Sequence, residues 1–360
     1  MTSIQLNNKE IPELQPIHGL FTMYNPETAP YRFQATNPQE AAAWQDTTSA
    51  ALAEAVGFQH LPAVDFDAQR LESIDKGDYI REKWLMRTWE HARMPFYLLI
   101  PKQAQPPYRL ALALHGHGYG VKDIVGLWEN GEERDTPDGY HADFGVALCR
   151  RGFLVAAPEI SCFGERTNDY SYLDTRIGQP EPYTCHHTAG LAFHLGGSVV
   201  GLRALDARRL LDHLLARGDI DAQRIAAMGI SGGGMHTLFS TSLDPRIRAC
   251  VISGYYSSFR HSILYMHHCT CNYVPGLWRF GEMHDLIGLV APRPVLIEAG
   301  TYDPLFPLEA VEAAVRVARE RVYPVFGASG QVETDIFEGR HRISGRRAYD
   351  FLWEKLDLSG

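Results

Sequence analysis

From Tyr79 onward the chain alternates apolar, β-prone runs with turn-forming segments: Tyr79 to Arg87, Phe96 to Ile100, Leu110 to Leu114, Phe153 to Ala157, Ile225 to Ile230, Ala249 to Ile252, Pro294 to Glu298 and Val332 to Phe337. Several are almost unbroken apolar stretches, as strands buried on both faces are. Between the later runs the spacing becomes helical. Leu308, Val311, Val315, Ala318 and Val322 recur at steps of three and four, and Ala348, Phe351, Leu352 and Leu356 do the same. Gly196 to Arg217 is leucine-rich and stops at Gly218. This alternation predicts an α/β fold: a mostly parallel central sheet of about eight strands, helices on both faces, and a ligand site at the carboxyl ends of the strands. The first 75 residues differ, with Pro12, Pro16, Pro26, Pro30 and Pro38 and one predicted helix, Pro38 to Val56. The pattern divides the chain into an N-terminal helical and irregular extension, 1–75, and a main domain, 76–360.

Composition narrows the function classes. Of 360 residues, 45% are hydrophobic and 21% charged, which excludes a disordered chain. Acids outnumber bases by 43 to 34, a net charge of −9, and no Lys/Arg stripe is present. Neither nucleic acid nor an anionic membrane is an expected partner. No stretch reaches the roughly 20 apolar residues that span a bilayer, and Met1 to Glu10 has no apolar signal core, so a cytoplasmic location is expected. The composition leaves room for a homo-oligomer. Cys149, Cys162, Cys185, Cys250, Cys269 and Cys271 lack CxxC spacing and read as reduced thiols.

The chemistry begins at Arg224 to His236, a strand running through Gly229-Ile230-Ser231-Gly232-Gly233 into a helical stretch that reaches Leu243. A G-x-S-x-G turn between strand and helix holds its serine in a strained, exposed position, and glycines at 229 and 233 give the room this requires. The same pattern alone could be a turn of small residues, but the strand before and helix after favour a nucleophile. A serine nucleophile needs a base, and the base an orienting acid. Asp303 follows the strand ending near Glu298, and His341 follows the strand ending at Phe337, so Ser231, Asp303 and His341 appear in a recognised triad order. The bland alternatives are a helix-entry cap for Asp303 and a surface loop for His341. Glu298 and Glu338 are rival acids, disfavoured because each lies at a strand end rather than in the loop beyond. Gly232, at the helix start, and His117, with Gly118 next to it, are the candidate oxyanion donors. They draw on the glycine-rich loop His115-Gly116-His117-Gly118. His115 and His117 could also read as a metal-binding H-x-H, but Asp123 nearby looks isolated, and no metal is expected.

Taken in order, His115-Gly116-His117-Gly118, Ala157-Pro158-Glu159, Phe163-Gly164-Glu165-Arg166, Gly229 to Gly233, Leu243 to Ile247, Cys271 to Gly276, Ala291 to Pro294, Gly300 to Asp303 and His341 resemble the α/β-hydrolase superfamily. The similarity is to its branch of acetyl xylan esterase-like and dienelactone hydrolase-like proteins, over about Leu110 to Leu356. The resemblance implies an α/β-hydrolase fold and a cofactor-free serine carboxylesterase. Such an enzyme would cleave short-chain, acetyl-type esters of small molecules or sugars through an acyl-serine. Dienelactone hydrolases use a cysteine where this chain has Ser231, so lactone cleavage does not carry over. Without an export segment, a small acylated sugar is expected rather than intact xylan. The alternatives are a prolyl oligopeptidase-like peptidase, for which the extension is too short to hold a propeller, and a non-catalytic binding protein on the same fold.

Remaining clusters are assigned from the same reasoning. Cys185-His186-His187 and His267-His268-Cys269-Thr270-Cys271 contain metal-capable groups but stand far apart in the chain, and read as buried thiols and loop histidines. His186, His187, Tyr255, His267 and Trp278 are candidate pocket-wall residues. Glu165 and Arg166 read as a structural ion pair or loop clamp.

Overall fold

The computed structural model describes residues 7–169 and 184–357. Its strands are β1 (Gln69–Asp75), β2 (Tyr79–Trp89), β3 (Ala92–Pro101), β4 (Tyr108–Leu114), β5 (Leu154–Pro158), β6 (Ile220–Ile230), β7 (Ala249–Ser253), β8 (Val295–Gly300) and β9 (Val332–Phe337). Among the described residues they form one nine-stranded sheet in the order β1-β2-β3-β5-β4-β6-β7-β8-β9. The pairs β1–β2, β2–β3 and β3–β5 are antiparallel and the rest parallel. The expected count of about eight is one short, because β1 falls inside the segment read as an irregular extension. Its side chains are mostly exposed, so it carries no apolar pattern; main-chain pairing with β2 holds it, together with the Arg70–Glu82 (2.7 Å) and Asp75–Lys102 ion pairs. The sheet therefore starts at Gln69, ahead of residue 76.

The helices are α1 (Pro16–Met23), α2 (Pro38–Val56), α3 (Phe144–Arg150), α4 (Thr184–His194), α5 (Val199–Leu215), α6 (Gly232–Leu243), α7 (Met283–Leu286), α8 (Leu308–Val317) and α9 (Ala348–Lys355). Strand alternation sends successive side chains to opposite layers. Ala226, Met228 and Ile230 of β6 pack with Phe144 and Leu148 of α3 and Phe351 and Leu352 of α9. Ile225 and Ala227 pack with Leu210, Leu211 and Leu214 of α5 on the other face. On that second face Cys250 and Ile252 of β7 meet Met235, Leu238 and Phe239 of α6 and Val311 and Val315 of α8. A strand buried on both sides has no polar face to display, which is why these runs read as continuous apolar segments.

The N-terminal segment is held on the second face. In α2, Ala41, Leu52 and Val56 are buried against that layer, and Asn37 caps its start by accepting the Glu40 N–H at 2.9 Å. The apolar repeat from Leu308 to Val322 is one α-helix only to Val317, continuing as a wider turn over Ala318–Val322. Among the described residues, no helix is long and apolar enough to cross a membrane.

Candidate active site

Ser231 alone joins β6 to α6, at φ 57° and ψ −121°. Its N–H donates to Ser253 O (3.0 Å), and its carbonyl accepts the Met235 N–H (2.9 Å) that opens the helix. A non-glycine residue in this region costs roughly 1–3 kcal/mol unless its surroundings impose it. They do: a Cβ on Gly229 would stand 2.4 Å from Gly233 O, and one on Gly233 would stand 1.9 Å from Leu114 O. β4, β6 and the first turn of α6 thus approach too closely for side chains at either position, leaving Ser231 projecting from the turn.

Asp303 and His341 lie in the loops after β8 and β9. Those loops are joined through their main chains, Thr301 N–H to Phe337 O (2.9 Å) and Tyr302 N–H to Gly339 O (2.8 Å). One Asp303 oxygen accepts the N–H groups of Leu305 (2.9 Å) and Phe306 (3.3 Å), and the other lies 2.7 Å from His341 Nδ1. The carboxylate is 2% exposed. The imidazole sits between Phe306, stacked at 5.8 Å, and Tyr140 at 5.5 Å. Asp303 draws the ring proton to Nδ1, leaving a lone pair at Nε2, which is buried and has no hydrogen-bond partner. No Ser231–His341 hydrogen bond is present, yet both residues line one cavity of about 230 Å³, together with His117, Gly232, Tyr255 and His267. The rival acids are placed elsewhere. Glu298 is buried in β8 accepting the Ser344 N–H, and Glu338 is exposed.

The loop after β4 lies against the serine. A Cβ on Gly116 would be 3.2 Å from Ser231 Cβ. Asp123, which looks isolated in the sequence, is the anchor of this loop: its Oδ2 is 2.6 Å from His141 Nδ1, and its Oδ1 accepts Arg134 at 3.0 Å. Burial lowers the His141 pKa against the pull of Asp123, which keeps Nε2 unprotonated and able to accept the Gly116 N–H at 2.8 Å. Tyr140 donates to the His117 carbonyl. Among the described residues neither the His117 nor the Gly232 N–H has a protein acceptor. A Cβ built on Gly118 would lie 3.3 Å from Asp123 Oδ2 and 3.5 Å from His141 Cε1, so this glycine sits against the pair that anchors the loop. Tyr140 and His141 come from a turn and Asp123 from a single short 3-10 helix, Val121–Ile124, with no periodicity or motif to mark them.

The candidate wall residues separate. Tyr255 and His267 border the Ser231 cavity, whereas His186 borders a neighbouring one of about 570 Å³ that shares His117, His267, His268 and Cys269. His187 borders neither and is exposed, since one helical step along α4 turns it from the side His186 occupies. Trp278 lines a separate cavity with Tyr24 and Phe259. Its turn folds back onto the N-terminal segment, where Arg279 O accepts the Tyr31 N–H at 2.8 Å. Glu165 and Arg166 do not pair with each other: Lys83 holds the first (2.8 Å) and Asp206 the second (2.6 Å). The cysteine-bearing segments that look remote in sequence do meet. Cys185, Cys269 and Cys271 converge on His117.

A model of the Abhydrolase family matches residues 17–324, a span that includes Ser231 and Asp303 and ends before His341. "Putative hydrolase YtaP" of Bacillus subtilis (strain 168) is 27% identical over 259 residues, covering 69% of this chain and 78% of that protein. A "putative acetyl xylan esterase" from Bacteroides fragilis NCTC 9343 superposes with a TM-score of 0.73 at 18% identity, over 90% of this chain and 82% of that one. A glucuronoyl esterase from Solibacter usitatus gives 0.61 at 16% identity, over 86% and 91%. At these identities the structural likeness is one of fold.

Proposed function

The chain belongs to the Abhydrolase family, and on that premise we propose that it is a serine carboxylesterase acting on short-chain, acetyl-type esters of sugars or other small hydroxylated molecules. Ser231 Oγ attacks the ester carbonyl while His341 Nε2 takes its proton and passes it to the departing alcohol. Water then enters by the same route and releases the acid from the acyl-serine. Asp303 fixes the tautomer and stabilises the imidazolium. The N–H groups of Gly232 and His117 receive the oxyanion, an arrangement in which each donor is typically worth about 3–4 kcal/mol in the transition state.

The observation that carries this reading is His341. Its Nδ1 is held at 2.7 Å by buried Asp303, and its unpartnered Nε2 faces the cavity of a strained serine. The cavity also favours a polar alcohol. Tyr255 Oη is buried without a protein partner, and His267 and Asn272 line the same wall. Its volume of about 230 Å³ suits a small acyl group. The acetyl xylan and glucuronoyl esterases of similar fold act on carbohydrate esters by name, which is consistent with that choice.

The test is hydrolysis of p-nitrophenyl esters from acetate to decanoate and of acetylated monosaccharides, by wild type and Ser231→Ala. Turnover restricted to short chains and lost in the variant is expected. No turnover by the wild type, or turnover undiminished in Ser231→Ala, would refute the proposal.

A further inference from the structure

Beside the candidate active site, four metal-ligating side chains from three separate segments converge. They are His117 of the loop after β4, Cys185 of α4, and Cys269 and Cys271 of the loop between β7 and α7. Their ligand atoms all lie within 4.8 Å of one another, and His117 Nε2 is 3.5 Å from Cys271 Sγ. In tetrahedral zinc with Zn–S of about 2.3 Å and Zn–N of about 2.0–2.1 Å, the S···N edge is about 3.5 Å and the S···S edge about 3.8 Å. One edge already has that length, and the others need side-chain adjustments of no more than about 1 Å. We propose that His117, Cys185, Cys269 and Cys271 form a zinc site.

A second observation points the same way. Arg203 of α5 is fully buried beside the cluster, with Nη2 4.0 Å from Cys185 Sγ and 3.1 Å from Ser161 O. Its Nε and Nη1 have no hydrogen-bond partner, and no carboxylate pairs with it among the described residues. A buried guanidinium without a counter-charge is strongly unfavourable. On binding zinc the three thiols release their protons to solvent, and one divalent ion with three thiolates carries a net −1, which supplies that charge. Four protein ligands fill the tetrahedron and leave no open position, so the ion is structural rather than a Lewis acid for substrate. It joins α4 and the segment after β7 to the loop bearing His117, whose ring packs on Gly232; a Cβ built there lies 3.0 Å from His117 Nδ1. That the ion steadies an oxyanion donor rests on the esterase reading, whereas zinc binding itself does not.

The test uses the full chain purified under reducing conditions without chelator. It measures bound metal by mass spectrometry and, after metal removal, the absorption spectrum on adding cobalt(II). About one zinc per chain and a thiolate-to-cobalt charge-transfer band with tetrahedral ligand-field absorption are expected. Cys185→Ser and Cys271→Ser should each retain less than about a tenth of the metal, while Cys149→Ala, in the core away from the cluster, retains it. Should the serine variants fail to fold, the cobalt spectrum of the wild type decides alone. Wild-type protein that holds no zinc and gives no charge-transfer band overturns the site, as does full loading of both serine variants. Ser231→Ala should load like wild type. Zinc bound without ester turnover would therefore sink only the esterase reading, and turnover without zinc only this one.

Discussion

Replacing Glu298 by glutamine should stabilise the protein progressively as pH rises from acid to neutral. Glu298 is 1% exposed in β8, with Oε1 accepting the Ser344 N–H and Oε2 unpartnered. Burial raises its pKa from 4.5 to about 7; the Ser344 bond opposes the shift and the Asp335 charge adds to it. Below the unfolded value the carboxyl is protonated in both states and folding pays nothing for it. Between the two values the unfolded chain gives up a proton that the folded one keeps, so stability falls with each pH unit. Above the folded value both states are ionised and the loss is complete. A window of about 2.5 units at about 1.4 kcal/mol each amounts to about 3 kcal/mol. Glutamine has the same shape and no charge to bury. The assay is urea unfolding of both proteins at several pH values from about 4.5 to 8. The variant should gain about 3 kcal/mol on the wild type across that range. A difference that stays flat with pH would refute the claim that the fold buries this carboxyl at a cost to its charged form.

Other perturbations address the site directly. Asp303→Asn keeps an acceptor for the Leu305 and Phe306 N–H groups but cannot hold the imidazole in its working tautomer. kcat on p-nitrophenyl acetate should fall about a thousand- to ten-thousand-fold with KM little changed, and an unchanged kcat would remove Asp303 from the mechanism. His141→Phe strips the Gly116 N–H of its acceptor, and a stability loss of about 1–3 kcal/mol is expected. kcat should also drop at least about tenfold, and stability loss with intact kcat would make the Asp123–His141 pair purely structural. Gly233→Ala places a Cβ 1.9 Å from Leu114 O, which should cost more than about 4 kcal/mol and be seen as insoluble expression. A normally folded variant would mean the elbow can yield.

The parts legible in the sequence are those with a repeating physical cause. Burial on both faces makes β5, β7, β8 and the later parts of β4 and β6 nearly continuous apolar runs, while β9, at the sheet edge, keeps a polar middle at Glu333, Thr334 and Asp335. Each candidate triad residue follows the end of one of these strands, so Ser231, Asp303 and His341 are locatable without knowing their distances. The helix over Pro38–Val56 is equally visible, because Asn37, Pro38 and Glu40 announce its start. β1 is hidden because main-chain pairing demands no apolar residue. Asp123 looks solitary because His141 and Arg134 reach it across irregular loops, where no period relates the positions. Cys185 and Cys269 belong to different segments that only the closed fold superimposes. Trp278 misleads for a related reason: an aromatic in the insertion after β7 can face the serine or the N-terminal segment, and the choice is made by packing between distant parts of the chain.

The bonds between the loops of Asp303 and His341 are main-chain to main-chain, and such bonds are indifferent to which side chains their residues carry. Acid and base therefore keep their alignment through substitutions at Thr301, Tyr302 or Glu338 that preserve the backbone path. Another part of the cavity wall, with His267, descends from the segment after β7 and shares none of those bonds. Chemistry and selectivity are thus modular within one cavity. A lineage, or a directed-evolution library built on position 267, can explore new esters while inheriting its proton-transfer machinery intact, whereas His268, packed on the Phe306 ring that stacks on His341, belongs to that machinery's surroundings.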